Sequence, residues 1–133
     1  MELKHINPGN MAKPRGYSHA ISVKGNYKTI YIGGQNAIDG NENLIGKNNF
    51  KEQTEQVLIN IEKILESIDA KFENIIKFNI NILQGQNPQE GFQVFQQKWK
   101  DNDNFPAVTV LFVAGLGNPD WLVEIDAIAV ISE

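Results

Sequence analysis

Two carboxylates, Glu124 and Asp126, stand two residues apart in the run Val123-Glu124-Ile125-Asp126-Ala127-Ile128-Ala129, which alternates as a strand does. Residues two apart on a strand share a face. Such a pair could place water or carry a proton, or one member could sit at an interface edge, paired with a lysine. His5 and His19 are the only histidines. His19 lies two residues beyond Tyr17, where a ring that titrates near neutral pH could act as a base. A lone histidine on a strand is more often structural. Arg15 is the only arginine among twelve basic residues, and it precedes Tyr17 by two in a loop rich in glycine and proline. Its plain reading is a solvated loop residue. The chain has no cysteine, which excludes disulfides, a thiol nucleophile and Cys-ligated zinc. With no His-x-x-x-His pair either, no metal is expected.

The elements that must position these residues follow from periodicity. Residues 3–6 form a first short strand, followed by a loop over 8–16. Residues 19–23 and 29–32 read as two strands joined by a turn at Lys24-Gly25-Asn26, and residues 39–43 as another loop. Phe50, Thr54, Val57, Leu58, Ile61, Ile64, Leu65 and Ile68 recur at spacings of three and four. They make one apolar stripe on a helix of about five turns. Asn49 with Glu52 offers an N-cap and a variant capping box. Ile76, Phe78, Ile80 and Ile82 alternate with Lys77, Asn79 and Asn81, as a strand should. A second, shorter helix carries Phe92, Phe95 and Trp99 on one face, with Pro88 in its first turn. Residues 107–113 are apolar on both faces and are expected in the middle of a sheet. Residues 122–131 form the last strand. Between them, Gly115-Leu116-Gly117 leads into a strand, so it is a turn and not a dinucleotide fingerprint. No cofactor is expected.

The chain of 133 residues fits one domain, 1–133, with no internal boundary. The order of strands and helices implies an α+β two-layer sandwich. Two helices can cover only one face of its sheet, so a second copy of the chain is expected on the other. The net charge is −4 and the basic residues are spread along the chain. A nucleic-acid partner would need a positive stripe, so none is expected. No apolar run approaches a membrane span, and the first residues show no signal pattern. A cytoplasmic protein without a membrane partner is expected.

Five segments together resemble one family. Gly16-Tyr17-Ser18-His19-Ala20 resembles the Gly-Pro-Tyr-Ser-Gln-Ala segment of the RidA (YjgF) family, the enamine/imine deaminases also called endoribonuclease L-PSP. Ile30-Tyr31-Ile32-Gly33-Gly34-Gln35 resembles its Val-Ser-Gly-Gln strand end. Gln53-Thr54-Glu55-Gln56-Val57-Leu58-Ile59-Asn60 resembles its Gln-Thr-x-Gln-x-Leu-x-Asn helix. Phe105-Pro106-Ala107 resembles its Pro-Pro-Ala-Arg-Ser segment, and Val123 to Ala129 its closing strand.

The resemblance implies a chorismate-mutase-like (ferredoxin-like) sandwich with both helices on one face. It implies a homotrimer whose sheets form a central barrel, with three clefts between subunits. It also implies hydrolysis of reactive enamines and imines to 2-keto acids and ammonia. In the family an arginine holds the substrate carboxylate through two hydrogen bonds, and a glutamate places water. Carried over residue by residue, Tyr17 matches the pocket tyrosine and Glu124 the glutamate. Gly33 stands where many members have serine, and Gln96 roughly where many have asparagine. Val108 stands at the arginine and Val110 at a common cysteine. Arg15 stands at a usual glycine, from which a long cation could reach the cleft and replace the missing one.

The expectation is a family member that binds a small metabolite in inter-subunit clefts, with diverged or weak deaminase activity. The alternative is a non-catalytic binding trimer. Ribonuclease or translation-inhibitor activity, a label some relatives carry, has little support in a chain with no basic groove.

Overall fold

The longest apolar stripe forms helix α1, Phe50–Glu66, in the computed structural model, which describes residues 1–100 and 104–133. Asn49 caps it by accepting from the Glu52 N–H at 3.0 Å. The reciprocal arm of a capping box is not made; the Asn49 N–H donates instead to the Gly46 carbonyl at 2.9 Å. Phe50, Thr54, Val57, Leu58, Ile61 and Leu65 are buried, as their spacing requires. Ile68 lies beyond the helix end, where Asp69 turns the chain with φ 56°.

The chain also forms six strands: β1, Glu2–Ile6; β2, Ala20–Lys24; β3, Tyr27–Gln35; β4, Ile75–Leu83; β5, Ala107–Val113; and β6, Val123–Ser132. A short 3₁₀ turn, Phe72–Asn74, leads into β4, and helix α2, Pro88–Trp99, lies between β4 and β5. Pro88 occupies the first turn of α2, and the Asn87 side chain accepts from the Gln89 N–H. Strands β1 and β2 pair antiparallel as a separate ribbon, and the other four form a mixed sheet in the order β3-β6-β4-β5. The turn between β2 and β3 therefore links two sheets and does not close a hairpin. The fold is α+β, with two helices and a mixed sheet.

The register assigns the faces. Phe78, Ile80 and Ile82 of β4 pair with Ala127, Ile125 and Val123 of β6, and all six are buried toward the helices. Lys77, Asn79 and Asn81 point the other way, level with Ile128, Asp126 and Glu124. On that open face Asn79 donates to Asp126 at 2.7 Å, and Lys77 donates to the Thr109 hydroxyl at 2.7 Å.

Strand β5 corrects one expectation. It is not in the middle of the sheet but at its edge, parallel to β4 alone. Val110, Leu111 and Phe112 are 46%, 55% and 48% exposed. Apolarity on both faces matched a buried strand, but among the described residues only Ser18 meets its outer edge, in a single bridge to Ala107, and no further strand pairs there. The aromatic stripe of α2 also differs from a core stripe. Gly91, Val94 and Trp99 are buried, whereas Phe95 is half-buried and Phe92 is exposed.

Candidate functional site

Segment 15–18 is held against the start of β5 by a buried serine. The Ser18 N–H donates to the Pro106 carbonyl at 2.9 Å, and the Ser18 hydroxyl donates to the Phe105 carbonyl at 2.6 Å. With its proton committed there, that oxygen can only accept from His5 Nδ1, 2.9 Å away. His5 thus ties β1 to the same point. His19 is a second tie: its Nε2 donates to the Ala12 carbonyl at 2.7 Å, and its backbone N–H donates to Asn7. Its ring meets Tyr17 edge-on, with centroids 5.5 Å apart. Both histidines hold the loop in place.

This strap brings Arg15, Gly16 and Tyr17 beside Val108. Two adjoining cavities, of about 360 and 400 Å³, open between the strap, α2 and β5. Arg15, Gly16, Phe92, Phe95 and Val108 border both. Gln96 borders the first, and Tyr17 and Val110 border the second. Gly16 has φ 77°, and a methyl group there would come within 2.9 Å of the Phe92 ring. Glycine therefore allows both the turn and the close approach of the aromatic wall. Phe95 packs edge-on against Phe78 at 5.2 Å, and Trp99 stacks on Phe105 at 6.3 Å.

Glu124 and Gly33 are elsewhere. Glu124 lies on the open face, level with Asn81. Val108 is level with the buried Phe78 and faces the helices. Strand β3 has an irregularity between Ile32 and Gln35, which takes up Gly33 and Gly34. Bulges of this kind re-aim side chains. Gly34 passes under the Glu124 carboxylate, and a methyl group on it would sit 2.8 Å from Glu124 Cδ. Gly33 has open space around it. The candidate residues thus separate: Arg15, Tyr17, Gln96 and Val108 lie around the groove, Glu124 lies on the opposite, open face of the sheet, and Gly33 lies in the irregularity of β3.

Reasoning from the sequence missed the role of Gln53. It is fully buried in α1. Its Nε2 donates to the carbonyls of Gly46 and Asp120, and its Oε1 accepts from the Leu122 N–H at 2.9 Å. Asn60 similarly donates to the carbonyls of Asn36 and Ile38. The amide residues of the helix motif pin loops. A polar residue buried on the core stripe was the available signal.

Among the described residues no group of three or more His, Cys, Asp or Glu side chains could hold a metal ion, and no helix is long and apolar enough to cross a membrane.

The family model for endoribonuclease L-PSP matches residues 10–131. A RutC family protein of Synechocystis sp. is 30% identical over 133 residues, covering 98% of each chain. The 2-iminobutanoate/2-iminopropanoate deaminase of Homo sapiens is 29% identical over 114 residues, 86% of this chain and 79% of that one. Among solved structures, YyfB of Yersinia pestis, a protein of unknown function of the conserved Rid family, superposes with a TM-score of 0.85 at 27% identity, covering 98% of this chain and 100% of that one. The chain belongs to the endoribonuclease L-PSP (RidA) family.

Proposed function

We propose that this protein binds a small metabolite in clefts between the subunits of a homotrimer, with a deaminase activity that is weak or diverged. One observation carries the reading. The residues that match the family's pocket lie on opposite faces of one sheet, Val108 and Tyr17 at the groove and Glu124 beyond it. One chain cannot bring them to one ligand; a neighbouring copy, presenting its open face to the groove, can. The exposed apolar edge of β5 is the surface such a neighbour would cover.

The weakness follows from position 108. A valine at the family's arginine gives the substrate carboxylate no cation, and an unpaired anion in a desolvated cleft is costly. Arg15 borders the same cavities and makes no hydrogen bond or salt bridge among the described residues. It can meet a carboxylate from a different side. The ribonuclease reading gains little from a groove with one cation, because phosphate backbones are held by rows of them.

The test is a paired one. Light scattering after size exclusion should give the mass of a trimer, and freshly generated 2-aminoacrylate should be hydrolysed slowly. A stable monomer would overturn the shared-cleft reading. Turnover equal to that of an arginine-bearing relative would overturn the role given to Val108. Ligand binding without turnover would select the non-catalytic alternative.

A further inference from the structure

The groove has a graded lining. Its floor is apolar: Phe78, Ile80, Ile82 and Val123 are buried. Phe92, Phe95, Val108 and Val110 form its walls. Polar groups gather at the rim, where Arg15, Gln89 and Gln96 are exposed and Tyr17 is half-buried. Thr54, the one hydroxyl nearer the floor, already donates to the Phe50 carbonyl at 2.8 Å. No acidic residue borders either cavity among the described residues, so Arg15 is their only charge.

From this grading we infer that the groove takes amphipathic monocarboxylates, acids that carry an aryl or branched alkyl group. The carboxylate lies at Arg15 and the apolar group lies between Phe92, Phe95 and Val108. A cavity of about 400 Å³ is far larger than a three-carbon keto or imino acid. Such a ligand would leave most of the apolar floor against water. A ring or branched chain fills it, and burial of apolar surface supplies the affinity. A dianion is disfavoured, since a single guanidinium leaves its second charge over an apolar wall. The inference rests on the groove being the ligand site, as proposed above, but not on any turnover.

The probes are 3-phenylpropionate, butyrate and 3-phenylpropionamide, added to the native assembly and followed by calorimetry and by NMR of the groove methyl and aromatic signals. 3-Phenylpropionate should bind about 10- to 100-fold more tightly than butyrate, the range for moving one phenyl ring from water to an apolar wall. The amide should bind about tenfold more weakly than the acid. Arg15→Gln should remove that difference. Phe92→Leu should weaken 3-phenylpropionate several-fold and leave butyrate unchanged. Arg15 and Phe92 are exposed, so both variants should fold, and thermal melts verify it. Equal affinity for butyrate and 3-phenylpropionate, with shifts in the groove, would overturn the apolar specificity and keep the groove as a site. An unchanged acid–amide difference in Arg15→Gln would overturn the anion contact. Signals that shift away from the groove, or no binding by an assembly that closes it, would overturn both the inference and the reading beneath it.

Discussion

Val108 and Glu124 face opposite sides of one sheet, with β4 between their strands. That relationship decides how the candidate site can work. If a ligand meets both, it does so across a subunit boundary, and the groove of one chain is completed by the open face of another.

The first prediction tests that boundary at Leu111. Its side chain is 55% exposed on β5, level with Asn81 on the open face. In a monomer a charge there would be nearly silent, within about 0.5 kcal/mol, as surface changes usually are. In an assembly it would be buried without a partner. Leu111→Glu should therefore keep its circular dichroism spectrum and fall below the mass of the proposed trimer in light scattering. Retention of the full mass would place the interface elsewhere.

Gln53 carries the second prediction. Replacing it with leucine would leave the Asp120 carbonyl and the Leu122 N–H without their present partners. An orphaned group costs about 1–3 kcal/mol where it is buried, as the Leu122 N–H is, and less where it is part-buried, as the Asp120 carbonyl is. Urea unfolding of Gln53→Leu should show a loss of about 2–4 kcal/mol, large for one residue. A change below about 1 kcal/mol would mean that water reaches these groups.

These two residues show where the sequence was legible. The stripe from Phe50 to Leu65 was readable because helical period and burial coincide along it. The alternation of β4 from Phe78 onward and of β6 was readable for the same reason with period two, whereas a register shift puts Ile75 rather than Ile76 in the core at the start of β4. The place of β5 was not, because an apolar strand looks alike whether its neighbours come from its own chain or another. Gln53 was visible only as a polar residue on the stripe: the backbone groups it serves lie up to 69 residues away, and local pattern carries no trace of them. For the site, the groove residues Arg15, Tyr17, Gln96 and Val108 were identifiable singly. Their separation from Glu124 depends on strand order, which periodicity alone does not supply.

A third prediction concerns Val108 itself. Loss of a charge-assisted carboxylate contact costs about 2–4 kcal/mol of transition-state binding, roughly 30- to 1,000-fold in rate. Hydrolysis of 2-aminoacrylate should fall below that of an arginine-bearing relative by a factor in that range, measured as keto-acid release under identical conditions. Val108→Arg alone should not restore the full rate if Gly33, as the resemblance implies, stands where many members carry a serine hydroxyl.

The last prediction separates the two adjacent glycines of β3. Gly34 passes beneath Glu124, and a methyl group there would lie 2.8 Å from Glu124 Cδ, 3.1 Å from Cγ and 3.1 Å from Oε2. All three atoms belong to the outer part of a flexible side chain, so Glu124 can swing aside and the fold should lose no more than about 1 kcal/mol. Gly33 has no atom within 4 Å of such a methyl group. If the Glu124 carboxylate places water, small displacements of it matter to the rate. Gly34→Ala should then lower whatever hydrolysis the wild type shows at least tenfold, with a melting temperature within a few degrees of normal. Gly33→Ala should leave the melting temperature nearly unchanged and serve as the control for folding. Wild-type activity in Gly34→Ala would show that the position of Glu124 does not matter to the reaction. A Gly34→Ala protein that unfolds would instead show that the irregularity in β3, and not the carboxylate above it, is what that glycine secures.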